Sequence, residues 1–284
     1  MLRPCSESEF EKYIDFAYEL ATDPTKSGYP TYCDKIKTKE MFIARSREAF
    51  CRETEQMLLF EYDGEVQGFI HLFLIPEDNY LSTLGFNTGN GTEQALAEFL
   101  AFVGERYGGY DLFLGFPADN VSAVDFLRAH GFECIEDDYN NTAFLDECNL
   151  IKSSGAVRIG RDNFESFRAL HTPAEADMYW TSERIFAAID SWNILMIEKD
   201  GEPQGAVYYM NADDGWYEIF GIDINNGEYS PALFRELLNA ALHDAGSRGG
   251  RVMTFFCEEK YDVAARECGF ICIGRYLLYK THLE

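Results

Sequence analysis

Gly131-Phe132-Glu133-Cys134-Ile135 returns as Gly269-Phe270-Ile271-Cys272-Ile273, 138 positions later. The turn-like Asp63-Gly64-Glu65-Val66-Gln67-Gly68 returns as Asp200-Gly201-Glu202-Pro203-Gln204-Gly205 at offset 137. Between these anchors Ala95, Leu96, Phe99, Leu100 and Val103 match Leu233, Phe234, Leu237, Leu238 and Ala241. A repeat of about 140 residues is too long for a solenoid unit and is the size of a domain. The chain therefore reads as two copies of one fold, residues 1–150 and 151–284. Ile151-Lys152-Ser153-Ser154-Gly155 is the expected linker.

Each copy predicts the same order of elements. In the first, Leu2-Arg3 is a short opening strand, and Ser6-Glu7-Ser8-Glu9 forms a capping-box start for a helix reaching about Ala21. After a longer helix-and-loop region over 22–56 come strands near 57–62, 67–75 and 80–86, with Asp63-Gly64 as a hairpin turn. Helix 93–107, strand 111–116, helix 121–130 and a closing hairpin across 132–146 complete it. The second copy repeats this from Ala156 to Tyr279, with Ser230 and Pro231 as the N-cap and first position of its main helix. The fold class is mixed α/β, each copy a largely antiparallel sheet flanked by helices.

Acidic residues number 49 against 24 basic, a net charge of -25. The first 150 residues hold 28 acidic and 11 basic side chains, the remainder 21 and 13. Such a field repels nucleic acid and anionic membranes and attracts cationic small molecules or basic peptides, although plain solubility accounts for it equally well. The sequence has no apolar run approaching the roughly 20 residues of a membrane helix, and its start lacks a signal-peptide core, so a cytoplasmic address is expected. Eight scattered cysteines, with Cys134, Cys257 and Cys272 in apolar strand patterns, read as reduced and buried. No metal is expected, because neither the cysteines nor the five histidines stand at ligand spacing.

The order of elements, with a glycine-containing loop between the fourth strand and the main helix, resembles the GNAT acyltransferase superfamily. The run Asn120 to Phe132, with Asn120, Ala123, Phe126, Leu127, Gly131 and Phe132, is similar to the family's Asn-x-x-Ala-x-x-Phe-Tyr-x-x-x-Gly-Phe pattern. The resemblance covers nearly the whole chain twice and implies acetyl-CoA as co-substrate, bound where the fourth strand meets its helix. There, backbone amides and the helix N-terminus receive the pyrophosphate. In the first copy this implicates residues 84–92 (Leu84, Phe86, Asn87, Thr88, Gly89, Asn90, Gly91 and Thr92) together with Asn120. One register sets Phe86, Gly89 and Gly91 on the family's loop positions; aligning helix faces sets Asn87, Asn90 and Thr92 there. The corresponding loop of the second copy carries Glu228, which would repel a pyrophosphate, so the first copy is the favoured cofactor site.

Transfer to an amine needs a route for its proton and an acid for the departing thiolate. The family's Tyr is replaced by Leu127 in one copy and Ala265 in the other. Glu61 and Glu218 are candidate bases, and Tyr139 is a candidate acid for the first copy. The reading implied is an N-acetyltransferase for a small-molecule or peptide amine, cationic at neutral pH. Its alternative is a degenerate tandem serving as a CoA-binding regulatory or assembly module. Whether the copies pack within one chain or across a homodimer stays open.

Overall fold

The computed structural model describes residues 1–284 apart from 34–36, 149–150, 152–154 and 214. The chain divides into two compact units. Unit 1 is Met1–Asp138 with Gly274–Glu284, and unit 2 is Tyr139–Ile273. This division by packing falls elsewhere than the expected linker at 151–155, of which residues 152–154 lie outside the described residues.

Unit 1 begins with β1 (Leu2–Pro4), α1 (Glu7–Phe10), α2 (Ile14–Ala21) and α3 (Lys39–Glu48). The Ser6 capping box forms as expected, but the helix it starts ends at Phe10 and a second resumes at Ile14. Then come β2 (Glu55–Tyr62), β3 (Glu65–Ile75), β4 (Tyr80–Thr88), α4 (Thr92–Gly104), β5 (Asp111–Pro117), α5 (Val121–Ala129) and β6 (Glu133–Phe144). Unit 2 follows with β7 (Ala156–Ile159), α6 (Phe164–His171), α7 (Ser182–Ala187), β8 (Trp192–Lys199), β9 (Glu202–Asp213), β10 (Trp216–Ile224), α8 (Pro231–Ser247), β11 (Val252–Cys257) and α9 (Glu259–Glu267). The last strand is β12 (Ile271–His282).

The two hairpin turns form as read. Asp63 and Gly64 take φ of 51° and 81°, Asp200 and Gly201 55° and 82°, the doubly left-handed backbone of a type I′ turn. All strand pairings within each sheet are antiparallel except β4–β5 and β10–β11.

The expected closing hairpins are single strands instead, and they are exchanged. In unit 2, residues Tyr139–Phe144 of β6 pair with β11, with Tyr139 opposite Cys257. In unit 1, Tyr276–His282 of β12 pair with β5, with Tyr276 opposite Pro117. Each copy's last strand therefore completes the sheet of the other unit. The sheet of unit 1 runs β1-β2-β3-β4-β5-β12, and that of unit 2 β7-β8-β9-β10-β11-β6.

Apolar faces set the layers. In unit 1, Leu96, Phe99 and Val103 of α4 and Leu127 of α5 pack with Phe86, Leu114, Phe116 and the exchanged Leu277 and Tyr279. On the other face of that sheet Phe10, Ala17 and Phe42 cover Met57, Leu59 and Phe69. Unit 2 repeats the arrangement, with Phe234, Leu237 and Leu238 of α8 on one face and Phe164, Phe167 and Ile185 on the other. Burying side chains of this size contributes about 1.5–3 kcal/mol each. No disulfide joins the eight cysteines; Cys257 is buried as its strand pattern predicts, whereas Cys134 is exposed and Cys272 half-buried. Among the described residues, no helix is long and apolar enough to cross a membrane.

Candidate active site

In both units the parallel strand pair parts part-way along. The β4–β5 pairing covers Tyr80–Ser82 against Asp111–Phe113, while the strands run on to Thr88 and Pro117. The β10–β11 pairing covers Trp216–Ile219 against Val252–Phe255, and β10 continues to Ile224. A one-residue irregularity accompanies each parting: His71 opposes Gly85 and Leu72 opposes Thr83, which skips Leu84. Likewise Tyr208 opposes Gly221 and Tyr209 opposes Ile219, which skips Phe220. Such a bulge bends its strand and raises the local twist, which is how a fork opens in a sheet. Strand backbone on the inner edges of a fork offers N–H and C=O groups to any narrow chain that carries amides.

In unit 1 the protein itself fills the fork. The Gly28 N–H donates to the Phe86 carbonyl of β4 at 2.8 Å, and the Tyr29 N–H to the Gly115 carbonyl of β5 at 3.0 Å. The Thr88 N–H donates in turn to the Lys26 carbonyl at 2.9 Å. Asn120 fixes this strap from below. Its side-chain N–H donates to the Ser27 carbonyl at 3.1 Å, while its oxygen accepts from the Ala123 N–H at the start of α5. Gly28 is required for the approach, since a Cβ there would lie 2.9 Å from both Cβ and N of Phe86. Phe86, Asn87, Thr88 and Asn120 are all buried, and Leu84 is half-buried.

The loop beyond β4 is similarly engaged. The Gly89 N–H donates to the Gln67 carbonyl at 2.7 Å, the Asn90 side chain reaches the Gln67 side chain at 3.1 Å, and the Thr88 and Thr92 hydroxyls meet at 2.8 Å. Gly91 caps α4 at φ 71°, against the ring of Tyr62.

Unit 2 differs at each of these points. Phe220 is 38% exposed, Gly221, Ile222 and Ile224 are half-buried, and only Asp223 is buried. The loop that follows, Asn225–Tyr229, holds consecutive left-handed residues, Asn226 and Gly227, and leads into the 17-residue α8. Ser230 caps that helix through the Leu233 N–H, and Glu228 is exposed. The two copies match at offset 136 at the bulge glycines and 138 along the helices, so this loop is two residues longer than its counterpart.

Behind the fork of unit 2 sits His171, fully buried at the end of α6. Its Nδ1 lies 2.7 Å from the Asp223 carboxylate and its Nε2 2.8 Å from the Trp180 carbonyl. Both neighbours are acceptors, so the imidazolium form, with both ring nitrogens donating, satisfies both at once. Burial alone would lower its pKa; the hydrogen bond and charge of Asp223 outweigh that and hold it above the usual value. Beside it, burial drives the Tyr208 phenol far up, which keeps it a neutral hydroxyl.

The sequence candidates are not brought together. Glu61 pairs with Arg3 at 2.8 Å on β2, with β3 between it and the fork of unit 1. Glu218 lies on β10 two residues before the bulge, opposite Thr254. Tyr139, expected to serve the first copy, falls in unit 2, opposite Cys257 at the end of β11. The strand exchange moves it. Sequence reasoning missed the strap and the His171–Asp223 pair; Gly28, small and isolated in a polar stretch, was the one available signal.

No protein-family model matches the chain, and a search of curated proteins finds no match. Solved structures do match. A GCN5-related N-acetyltransferase from Sphaerobacter thermophilus aligns with TM-score 0.67 at 16% identity, over 100% of this chain and 96% of that one. A tandem GNAT protein from the clavulanic acid biosynthesis pathway aligns with TM-score 0.55 at 11% identity, over 100% and 98%. The fold is the GNAT fold, in tandem. A GCN5-related N-acetyltransferase from Kribbella flavida aligns over 76% of this chain and 87% of that one, with TM-score 0.54 at 15% identity. Full-length coverage places a GNAT-like arrangement of strands and helices in both halves of the chain.

Proposed function

We propose that the chain is an acetyl-CoA-dependent N-acetyltransferase acting on the amine of a small molecule or peptide, with transfer at the fork of β10 and β11. One observation carries the choice of fork: the strap Lys26–Tyr29 already makes the backbone hydrogen bonds in unit 1 that an amide-bearing cofactor arm would need. The GNAT fold of both halves supports the reaction class.

Acetyl-CoA supplies an activated thioester on an arm that carries two amides. The residues of unit 2 fit such an arm. The backbone of Phe220–Ile224 offers strand hydrogen bonds, and the loop with the left-handed Asn226 and Gly227 offers amides to a pyrophosphate. Glu228 lies in the same loop, and its exposure leaves its charge to be screened by water. The acceptor nitrogen attacks the thioester carbonyl carbon, the carbon–sulfur bond breaks, and the proton of the amine leaves to a base. Glu218 is the candidate base and Tyr139 the candidate acid, both now on strands of unit 2. The chain's charge of -25 favours an acceptor that arrives as a cation.

The alternative is a CoA-binding module without turnover, favoured by the apolar Leu127 and Ala265 where the family carries a Tyr, both fully buried. Calorimetric titration with acetyl-CoA, together with hydrogen exchange, separates the readings. One site per chain with protection across 219–231 is expected. Two equivalent sites, or protection confined to 84–92, would overturn the choice of fork. Binding without acetyl transfer to any of a panel of amines would favour the alternative.

A further inference from the structure

We propose that unit 2 carries an acceptor subsite for a singly charged amine on an apolar, ring-sized body, walled by Phe220, Trp180 and Trp192. The inference rests on transfer occurring at the β10–β11 fork and names what that fork accepts.

Phe220 is the bulge residue, set where the parallel pairing ends at Ile219 and Phe255. Its ring lies 5.3 Å from that of Trp192 and 6.0 Å from that of Trp180, which are themselves 5.1 Å apart. All three contacts are edge-to-face, between 72° and 80°, the packing aromatic rings favour, and Phe220 remains 38% exposed. The neighbouring Met178 and Tyr179 are 42% and 39% exposed. A loop, β8 and β10 thus bring exposed apolar surface to one spot beside the fork. A folded chain leaves such a patch open where something binds.

A second observation points to a ligand. The indole N–H of Trp192 is buried and has no acceptor among the described residues, although the residue itself is 5% exposed. A buried donor left so costs about 1–3 kcal/mol, which an acceptor oxygen carried on the ring-sized body of the amine would recover.

The charges nearby set the class of ligand. Asp223 is engaged by His171, and Glu175 accepts from the Ser182 N–H and hydroxyl at 2.6 Å and stands 3.8 Å from His171. The Arg184 guanidinium already covers the Tyr179 ring at 4.2 Å. These two carboxylates are therefore committed, which suits a neutral apolar body with one ammonium better than a polycation. The wall is also fixed in place, because the imidazolium of His171 ties the Trp180 carbonyl to Asp223 of β10.

The test uses the intact chain and two probes, 2-phenylethylamine and spermidine, followed by tryptophan fluorescence without cofactor. 2-Phenylethylamine should bind at least ten-fold more tightly than spermidine, and Phe220→Ala and Trp180→Ala should each weaken it about ten-fold. Phe220→Leu, which keeps an apolar side chain, should recover part of the loss. Acetyl-CoA affinity by calorimetry should stay unchanged in Trp180→Ala. Equal or tighter binding of spermidine, or variants that bind 2-phenylethylamine like the parent, overturns the subsite. Wall-dependent binding of 2-phenylethylamine with no acetyl-CoA bound at 219–231 would instead sink the choice of fork and leave the subsite standing.

Discussion

Replacing Gly28 by Val should break the strap, and the size of the effect follows from its contacts. A Cβ at Gly28 meets Phe86 Cβ and N at 2.9 Å and the Gly115 carbonyl oxygen at 3.3 Å. Two of these are backbone atoms of strands pinned in a sheet, so the strap rather than the sheet must yield. Its retreat loses the bonds made by the N–H groups of Gly28, Tyr29 and Thr88 and the Asn120 bond to Ser27. Each is worth about 1 kcal/mol net, and water recovers part of the total, so about 3 kcal/mol is expected. For a domain near this size that lowers Tm by roughly 6–12 °C. Differential scanning calorimetry reads the shift, and hydrogen exchange should show the Thr88 amide losing protection. Gly28→Ala should fall between parent and Gly28→Val. An unchanged Tm with an unchanged Thr88 exchange rate would refute the strap as a closure of the fork.

Other expectations concern charge. In unit 1 Glu55, nearly buried, accepts from Arg45 at 2.7 and 2.8 Å and lies 2.7 Å from His71 Nε2. Burial opposes its charge, but His71 and Arg45 outweigh burial and hold the carboxyl far below the usual range. Glu55→Ala should cost about 1–3 kcal/mol in urea unfolding at pH 7, because it leaves the buried His71 without its partner, whereas Arg45 keeps Glu48 at 3.2 Å. A depressed carboxylate contributes stability above its unfolded pKa, so the gap between parent and variant should shrink as pH falls below about 4.3. A constant gap down to pH 2 would contradict this. His171 has the opposite sign. Its raised pKa contributes stability fully below its unfolded value of about 6.5 and loses it as pH rises through the folded value. The stability difference between parent and His171→Gln should therefore be larger at pH 6 than at pH 9, and a flat difference would argue against the imidazolium.

Much of this fold was legible because local signals repeat. The doubled Asp-Gly turns fixed two hairpins, and the apolar stripes of α4 and α8 fixed the main helices and the faces they cover. The closing strands were misread because residues 132–146 alternate weakly and carry Asp137-Asp138, which suggests a turn. In the structure Asp137 instead forms an ion pair with Arg275 in a strand that does not turn. Exchange itself leaves no local mark, because strand pairing is made by backbone groups that every residue but proline carries. The cofactor loop was compared at the helix register, offset 138, although Gly85 and Gly221 stand at 136. The two extra residues of unit 2 lie between Gly221 and α8. The strap escaped notice because hydrogen bonds made by backbone need no particular side chain, and only Gly28 betrays the close packing.

The reciprocal last strands bear on how such a chain could be cut or made in pieces. A product ending near residue 150 would expose the edge of β5, where Leu112, Leu114 and Phe116 lie beside the missing Leu277 and Tyr279. It would also carry Asn140–Phe144 with no β11 to receive them. An open edge and a loose strand of matching shape are the two halves of a domain swap, so a lone half should seek another copy of itself. Joining the halves in one polypeptide turns that encounter into an internal one, at an effective concentration in the millimolar range for a short linker.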